Sequence, residues 1–194
     1  MGYSPEKKAL KQKQSNQSVM TDVRANWKQK LPVIYFVLGF AVLMILFYIF
    51  WLSEYSQKSF QLDIVSVNAK ISSFFLNILG MKTTTQVGTI TSPNFSVSIA
   101  RGCDAVEAMA LFASALLAFP SKWLPKIIGL FAGVAILFSL NIVRIMSLFL
   151  TGLYYPKAFE FMHVEVWQVL FILFAVGLWI FWIKLTRKGS PNVA

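Results

Sequence analysis

The sequence predicts an all-α membrane protein of about four transmembrane helices, with an outer amphipathic helix and a short β-hairpin. Three observations lead there. Only 13% of the 194 residues are charged while 57% are hydrophobic, with 18 phenylalanines, against roughly 25% charged and 45–50% apolar in soluble domains. Four apolar runs have lengths near that of a membrane span. Apart from Arg144 within the third, basic residues flank those runs instead of interrupting them.

Residues 1–30 are polar and basic and include the low-complexity stretch KQKQSNQS, so a cytoplasmic tail lying against anionic lipid is expected. The first span runs from about Pro32 to Leu52, with its proline near the start, where a helix tolerates one. It is too long for a signal-peptide core and no small-x-small site follows, so it is read as retained. Residues 53–102 form an outer segment. Within it Ile64, Val67, Ile71, Phe74, Phe75 and Ile78 recur at helical spacing, with Asp63, Asn68 and Lys70 elsewhere, as in an interfacial amphipathic helix. Gly80 supplies its C-cap. TTTQVGTIT and FSVSI, separated by the turn signal Ser92-Pro93-Asn94, read as a hairpin. The later spans run from about Asp104 to Pro120, Lys126 to Thr151 and His163 to Leu185. Residues 31–188 thus form the membrane domain and 189–194 a second short tail.

Placing the N-terminus inside leaves the seven basic residues of the first tail, Lys122, Lys126, Lys184, Arg187 and Lys188 on the cytoplasmic side. Only Lys58, Lys70, Lys82, Arg101 and Lys157 fall outside, so both termini are expected in the cytoplasm and residues 53–102 outside the inner (plasma) membrane. The net charge of +10 therefore reports topology, and no basic motif interleaved with aromatics points to nucleic acid. Trp51, Trp123, Trp179 and Trp182 suit interfacial belts. One cysteine excludes an intramolecular disulfide, and one cysteine with one histidine makes no zinc site, so neither metal nor cofactor is expected.

This topology brings three reactive side chains to one depth. Cys103 precedes the second span, His163 opens the fourth, and Arg144 lies seven residues before Thr151, about 10 Å below the end of the third at 1.5 Å per residue. The second span, about 24 Å long against a core of about 30 Å, recesses Cys103 into the bilayer surface. A helix N-terminus favours a thiolate, while Asp104 and Glu107 oppose it unless they engage Arg144 or His163. Asn141, one turn before Arg144, is placed to orient it. Glu160, Glu165 and Trp167 read as interface or packing residues. A thiolate can attack a peptide carbonyl to give a thioester, a histidine can move the protons, and a guanidinium can stabilise the oxyanion.

The runs RGCDAVEAMALFASALLAFP and NIVRIMSLFLTGLYYPKAFEFMH, with FFLNILGM before them, resemble the exosortase/archaeosortase family. The likeness spans roughly residues 67–182 and is strongest to the compact exosortase H branch, through GCDAVEAM and FEFMHVEVWQ. It implies a membrane cysteine protease or transpeptidase of protein sorting, with Cys103 as nucleophile, Arg144 as oxyanion or positioning group and His163 as acid/base. It also implies a substrate: an exported, membrane-anchored protein whose C-terminal sorting signal joins a motif, one helix and basic residues, with an amine as acceptor. Ala105 departs from the glycine that many relatives carry there, which bears on the local turn. Two other classes fit the residues: a non-enzymatic scaffold or transporter subunit, with Arg144 paired to Glu107, and a thiol acyltransferase acting on lipid.

Overall fold

The computed structural model describes residues 30–100 and 102–188; the first tail up to residue 29, Arg101 and residues 189–194 lie outside the described residues. Helix α1 covers Lys30–Trp51. A widened π-helical turn, Ser56–Phe60, leads into α2, Gln61–Ile78. Three short strands follow, β1 Thr84–Gln86, β2 Thr89–Thr91 and β3 Ser96–Ser98. Then come α3 Val106–Ala118, α4 Trp123–Tyr154, a 3-10 turn Pro156–Ala158, a π-helical turn Phe161–Val166 and α5 Trp167–Lys188.

Three stretches are long and apolar enough to cross a bilayer: Lys30–Trp51, Trp123–Tyr154 and Pro156–Thr186. The expected second span is shorter than its sequence window. Helix α3 has 13 residues, about 20 Å of rise. Pro120 forces Phe119 into extended backbone at φ −69°, ψ 131°, since the residue before proline disfavours the α region. At the other end, Gly102 (φ +85°) and Ala105 (φ +61°) turn the chain before the helix begins. The all-α membrane architecture holds, with a short helix, about two thirds of a core thickness of about 30 Å, packed against α4 and α5.

The amphipathic segment forms α2, whose apolar residues Val67, Phe74, Phe75 and Ile78 are exposed. Its opposite face, Asn68, Ala69, Ser72, Ser73 and Leu76, is buried. Small and polar side chains let helices approach closely in lipid, where burial of apolar surface gives no net drive. The end of α2 is a Schellman turn: the Gly80 N–H donates to the Asn77 carbonyl and the Met81 N–H to Leu76, 3.0 Å each. Asn77 then ties the next loop, its side-chain oxygen accepting the Thr83 N–H at 2.7 Å.

The predicted hairpin becomes a three-stranded antiparallel meander, β1-β2-β3. TTTQVGTIT folds back on itself at Val87-Gly88, which adopt φ +37° and +79° and pair Gln86 with Thr89. Such two-residue turns need positive φ at both centres, and here Gly88 also packs where a Cβ would strike Val65. The expected turn at Ser92-Pro93-Asn94 joins β2 to β3, closed by the Ser92 N–H donating to the Phe95 carbonyl at 2.8 Å.

The sheet packs under the Cys103 end of the bundle. Ile90, Ile99 and Cys103 share a buried cluster with Ala69 and Leu76 of α2 and Ile145 and Phe149 of α4. Phe95 meets Phe149 edge-on at 5.5 Å and lies against Gly152, where any side chain would collide with its ring. Two further α4 glycines work alike: the space above Gly133 is filled by Phe112 of α3, and that above Gly129 by Trp182 of α5. The tryptophans divide. Trp123 is exposed, but Trp51 and Trp182 are buried, so the interfacial reading fails for these two. Trp182 instead donates its Nε1 hydrogen to the Pro125 carbonyl at 3.0 Å, and Trp51 stacks on Phe47 at 5.6 Å.

Candidate active site

Cys103 sits in the turn that delivers the chain from the sheet to α3, and its N–H donates to the Ala100 carbonyl at 3.0 Å. Glycine meets the positive φ at Gly102 without strain. Ala105 does not: a left-handed L-residue costs about 1–2 kcal/mol, held here by a buried position. Position 105 is therefore one whose backbone favours glycine. Asp104 stabilises the start of α3, its Oδ1 accepting the Val106 N–H at 3.1 Å, while its buried Oδ2 has no partner.

Cys103, Arg144 and His163, predicted to converge from three segments, do so. The Sγ atom lies 2.7 Å from His163 Nε2, and Arg144 Nη2 donates toward Sγ from 3.6 Å. Arg144 Nη1 reaches the Gly102 carbonyl at 3.4 Å. The guanidinium carbon lies 5.4 Å from the centre of the Phe171 ring, a cation–π contact that supports a charge held 95% out of solvent. Arg144 Nε is buried and has no partner, which leaves one donor of the fork uncommitted. His163 lies in the π-helical turn, a feature frequent at functional sites, and its ring stacks on Phe159 at 5.8 Å and 19°.

The supporting residues divide differently. Asn141 does not turn to Arg144; its Nδ2 donates to Asn68 Oδ1 of α2 at 3.1 Å. Three residues along a helix rotate a side chain by about 300°, enough to aim Asn141 at a different neighbour. Glu107 is exposed, and the ion pair found among the described residues, Lys58–Glu54, is remote from the site. Neither Asp104 nor Glu107 therefore pairs with Arg144 or His163. Two aromatics missed from sequence complete the site, Phe159 and Phe171. They stand four before and eight after His163, on the same helical face, and with Trp167 and Ala175 they mark the inward stripe of the last helix. Among the described residues no group of three His, Cys, Asp or Glu side chains is placed to hold a metal.

Burial pushes the Cys103 thiol above its ordinary pKa; the Arg144 charge pulls it down and Asp104 pushes it up, with burial the largest. The thiol is therefore the dominant resting form at neutral pH, and an adjacent base must take its proton on attack. Because only the thiolate alkylates, the rate of Cys103 labelling by a small haloacetamide should climb at higher pH than that of a free thiol. Replacing Arg144 by Gln removes the lowering charge and should move that midpoint further up; a midpoint moving down would contradict this electrostatic ordering.

The arrangement is a thiol in contact with an imidazole and a guanidinium, with the sulfur and the guanidinium buried and the imidazole half-buried, at the N-terminal end of a short helix. A family model for transmembrane exosortases matches residues 31–183, a stretch that contains the three residues and the elements that position them. No curated protein and no solved structure matches the chain.

Proposed function

As the chain belongs to the transmembrane exosortase family, we propose that it is a cysteine transpeptidase that cleaves C-terminal sorting signals of exported, membrane-anchored proteins and passes them to an amine. The observation that carries this reading is the 2.7 Å approach of His163 Nε2 to Cys103 Sγ, with the Arg144 fork beside it.

His163 takes the Cys103 proton as Sγ attacks the scissile carbonyl carbon, and the carbonyl π pair becomes the oxyanion. The uncommitted Nε–H of Arg144 and its Nη2–H are donors for that oxygen. When the tetrahedral intermediate collapses, the C–N bond breaks and the imidazolium gives its proton to the leaving amine, leaving a thioester on Cys103. The neutral imidazole then accepts a proton from an incoming amine as its nitrogen attacks, and returns it to Sγ as the C–S bond breaks. A substrate already anchored in the same bilayer needs little docking surface, since confinement raises its effective concentration. In this reading both termini are cytoplasmic and the Cys103 end of the bundle faces outward, as the distribution of basic residues favours.

The scaffold reading gives Arg144 a gating or ion-pair role with Glu107; against the ion pair, Glu107 is exposed and Arg144 engages Cys103 and Gly102. Coexpression with an exported protein ending in a motif, an apolar helix and basic residues tests the proposal. The expected product has lost its helix and carries a new amide at its carboxyl end, measurable by mass. A substrate that keeps its helix in every pairing, while Cys103 carries a fatty acyl group, would move the reading to a lipid acyltransferase.

A further inference from the structure

At the end of the bundle away from Cys103, a cleft of about 1110 Å³ runs between α3, α4 and α5. It lies just above the range typical of small-molecule sites, roughly 300–1,000 Å³. Its walls are apolar and its rim, Ile128, Phe181 and Leu185, is exposed. Its mouth is polar: Lys122 and Ser121 line it, and the Ser121 hydroxyl is a buried polar atom with no partner.

Two observations decide between occupants. The first is charge. No Asp or Glu occurs in residues 108–159 or 166–194, whereas Lys122, Lys126 and Lys184 do, so this end attracts an anion and repels the basic tail of a membrane-anchored protein. The second is the floor. The two glycines that would admit a helix backbone most closely are already covered, Gly133 by Phe112 and Gly129 by Trp182, leaving only Ala132 exposed among the small residues of that wall. Acyl chains conform to such a cleft where a helix does not, and basic pockets between membrane helices suit anionic headgroups.

We propose that this cleft is a binding site for an anionic phospholipid, with acyl chain between α4 and α5 and headgroup phosphate at Lys122 and the Ser121 hydroxyl. Bound there, the lipid braces α3 and α5, whose far ends adjoin the turns that carry Cys103 and His163, without touching either.

Native mass spectrometry of the full chain released from detergent, titrated with phosphatidylglycerol or phosphatidylcholine, tests the site. Phosphatidylglycerol should be retained about fivefold better, the increment expected of one lysine near a headgroup. Lys122→Glu should erase that preference, and Ala132→Trp, which fills the exposed cleft wall, should reduce retention of both lipids. Thermal unfolding in detergent alone should be unchanged in Lys122→Glu and in the milder Lys122→Gln, which separates lost binding from lost fold. Equal retention of the two lipids, or a preference that survives Lys122→Glu, would reduce the cleft to ordinary annular contact. A photo-crosslinker at position 132 that captures the sorting substrate instead of lipid would assign it to the substrate helix and overturn the proposal.

Discussion

Cells carrying Cys103→Ala should accumulate full-length substrate, with processing reduced by at least about 10³-fold, the scale on which covalent catalysis fails without its nucleophile. His163→Ala should lose roughly 10²–10⁴-fold, the usual contribution of a placed acid/base. The double variant should be no worse than Cys103→Ala alone, because residues acting as one unit are strongly non-additive. That pattern follows from the 2.7 Å contact: once the sulfur is absent, the imidazole has no proton to move. Neither substitution should disturb the membrane domain. His163 is only partly buried, and Cys103 sits in a turn held by backbone hydrogen bonds and by Asp104. Normal processing in either single variant would defeat the assignment of these residues.

Arg144→Lys separates charge from geometry and should cost roughly 10²–10³-fold, the range seen when one oxyanion donor is removed. Lysine keeps the positive charge, so the cost of burying it is not newly incurred. What it lacks is the planar fork: one arm on Sγ, one on the Gly102 carbonyl, the plane over Phe171 and an Nε–H left over. A point charge can replace one of these. The loss should appear in kcat more than in KM, because the donor matters as the oxyanion forms. Full activity in Arg144→Lys would show that charge alone suffices and that the uncommitted Nε–H has no part in the reaction.

Much of this was legible in the sequence, and for identifiable reasons. Hydropathy placed the long spans because a bilayer core demands uninterrupted apolar runs. The same topology placed Cys103, Arg144 and His163 at one depth, which needed only span ends and helix rise. Depth, however, does not fix azimuth. Asn141, three residues from Arg144, was expected to orient it and instead pairs with Asn68, because side-chain direction depends on which neighbour lies across the interface. Periodicity identified the apolar face of α2, but its buried partner face of Asn68, Ser72 and Ser73 shows only once α4 is seen beside it. Val87 carries positive φ where β-branched residues rarely do, so the first strand region read as one stretch when it folds into two. Tryptophan is often interfacial, which is the reading of Trp182 from sequence; its site over Gly129 follows from a glycine on the packed helix α4.

The account depends most on an acyl group residing on Cys103 during turnover. Rapid acid quench of the wild-type enzyme with substrate, followed by mass analysis of the peptide that contains Cys103, should find it carrying the substrate's new carboxyl end, and hydroxylamine should release that group. The adduct should build up when the amine acceptor is withheld. Cleaved substrate with no thioester on Cys103 under those conditions, or an acyl group on a different residue, would contradict it.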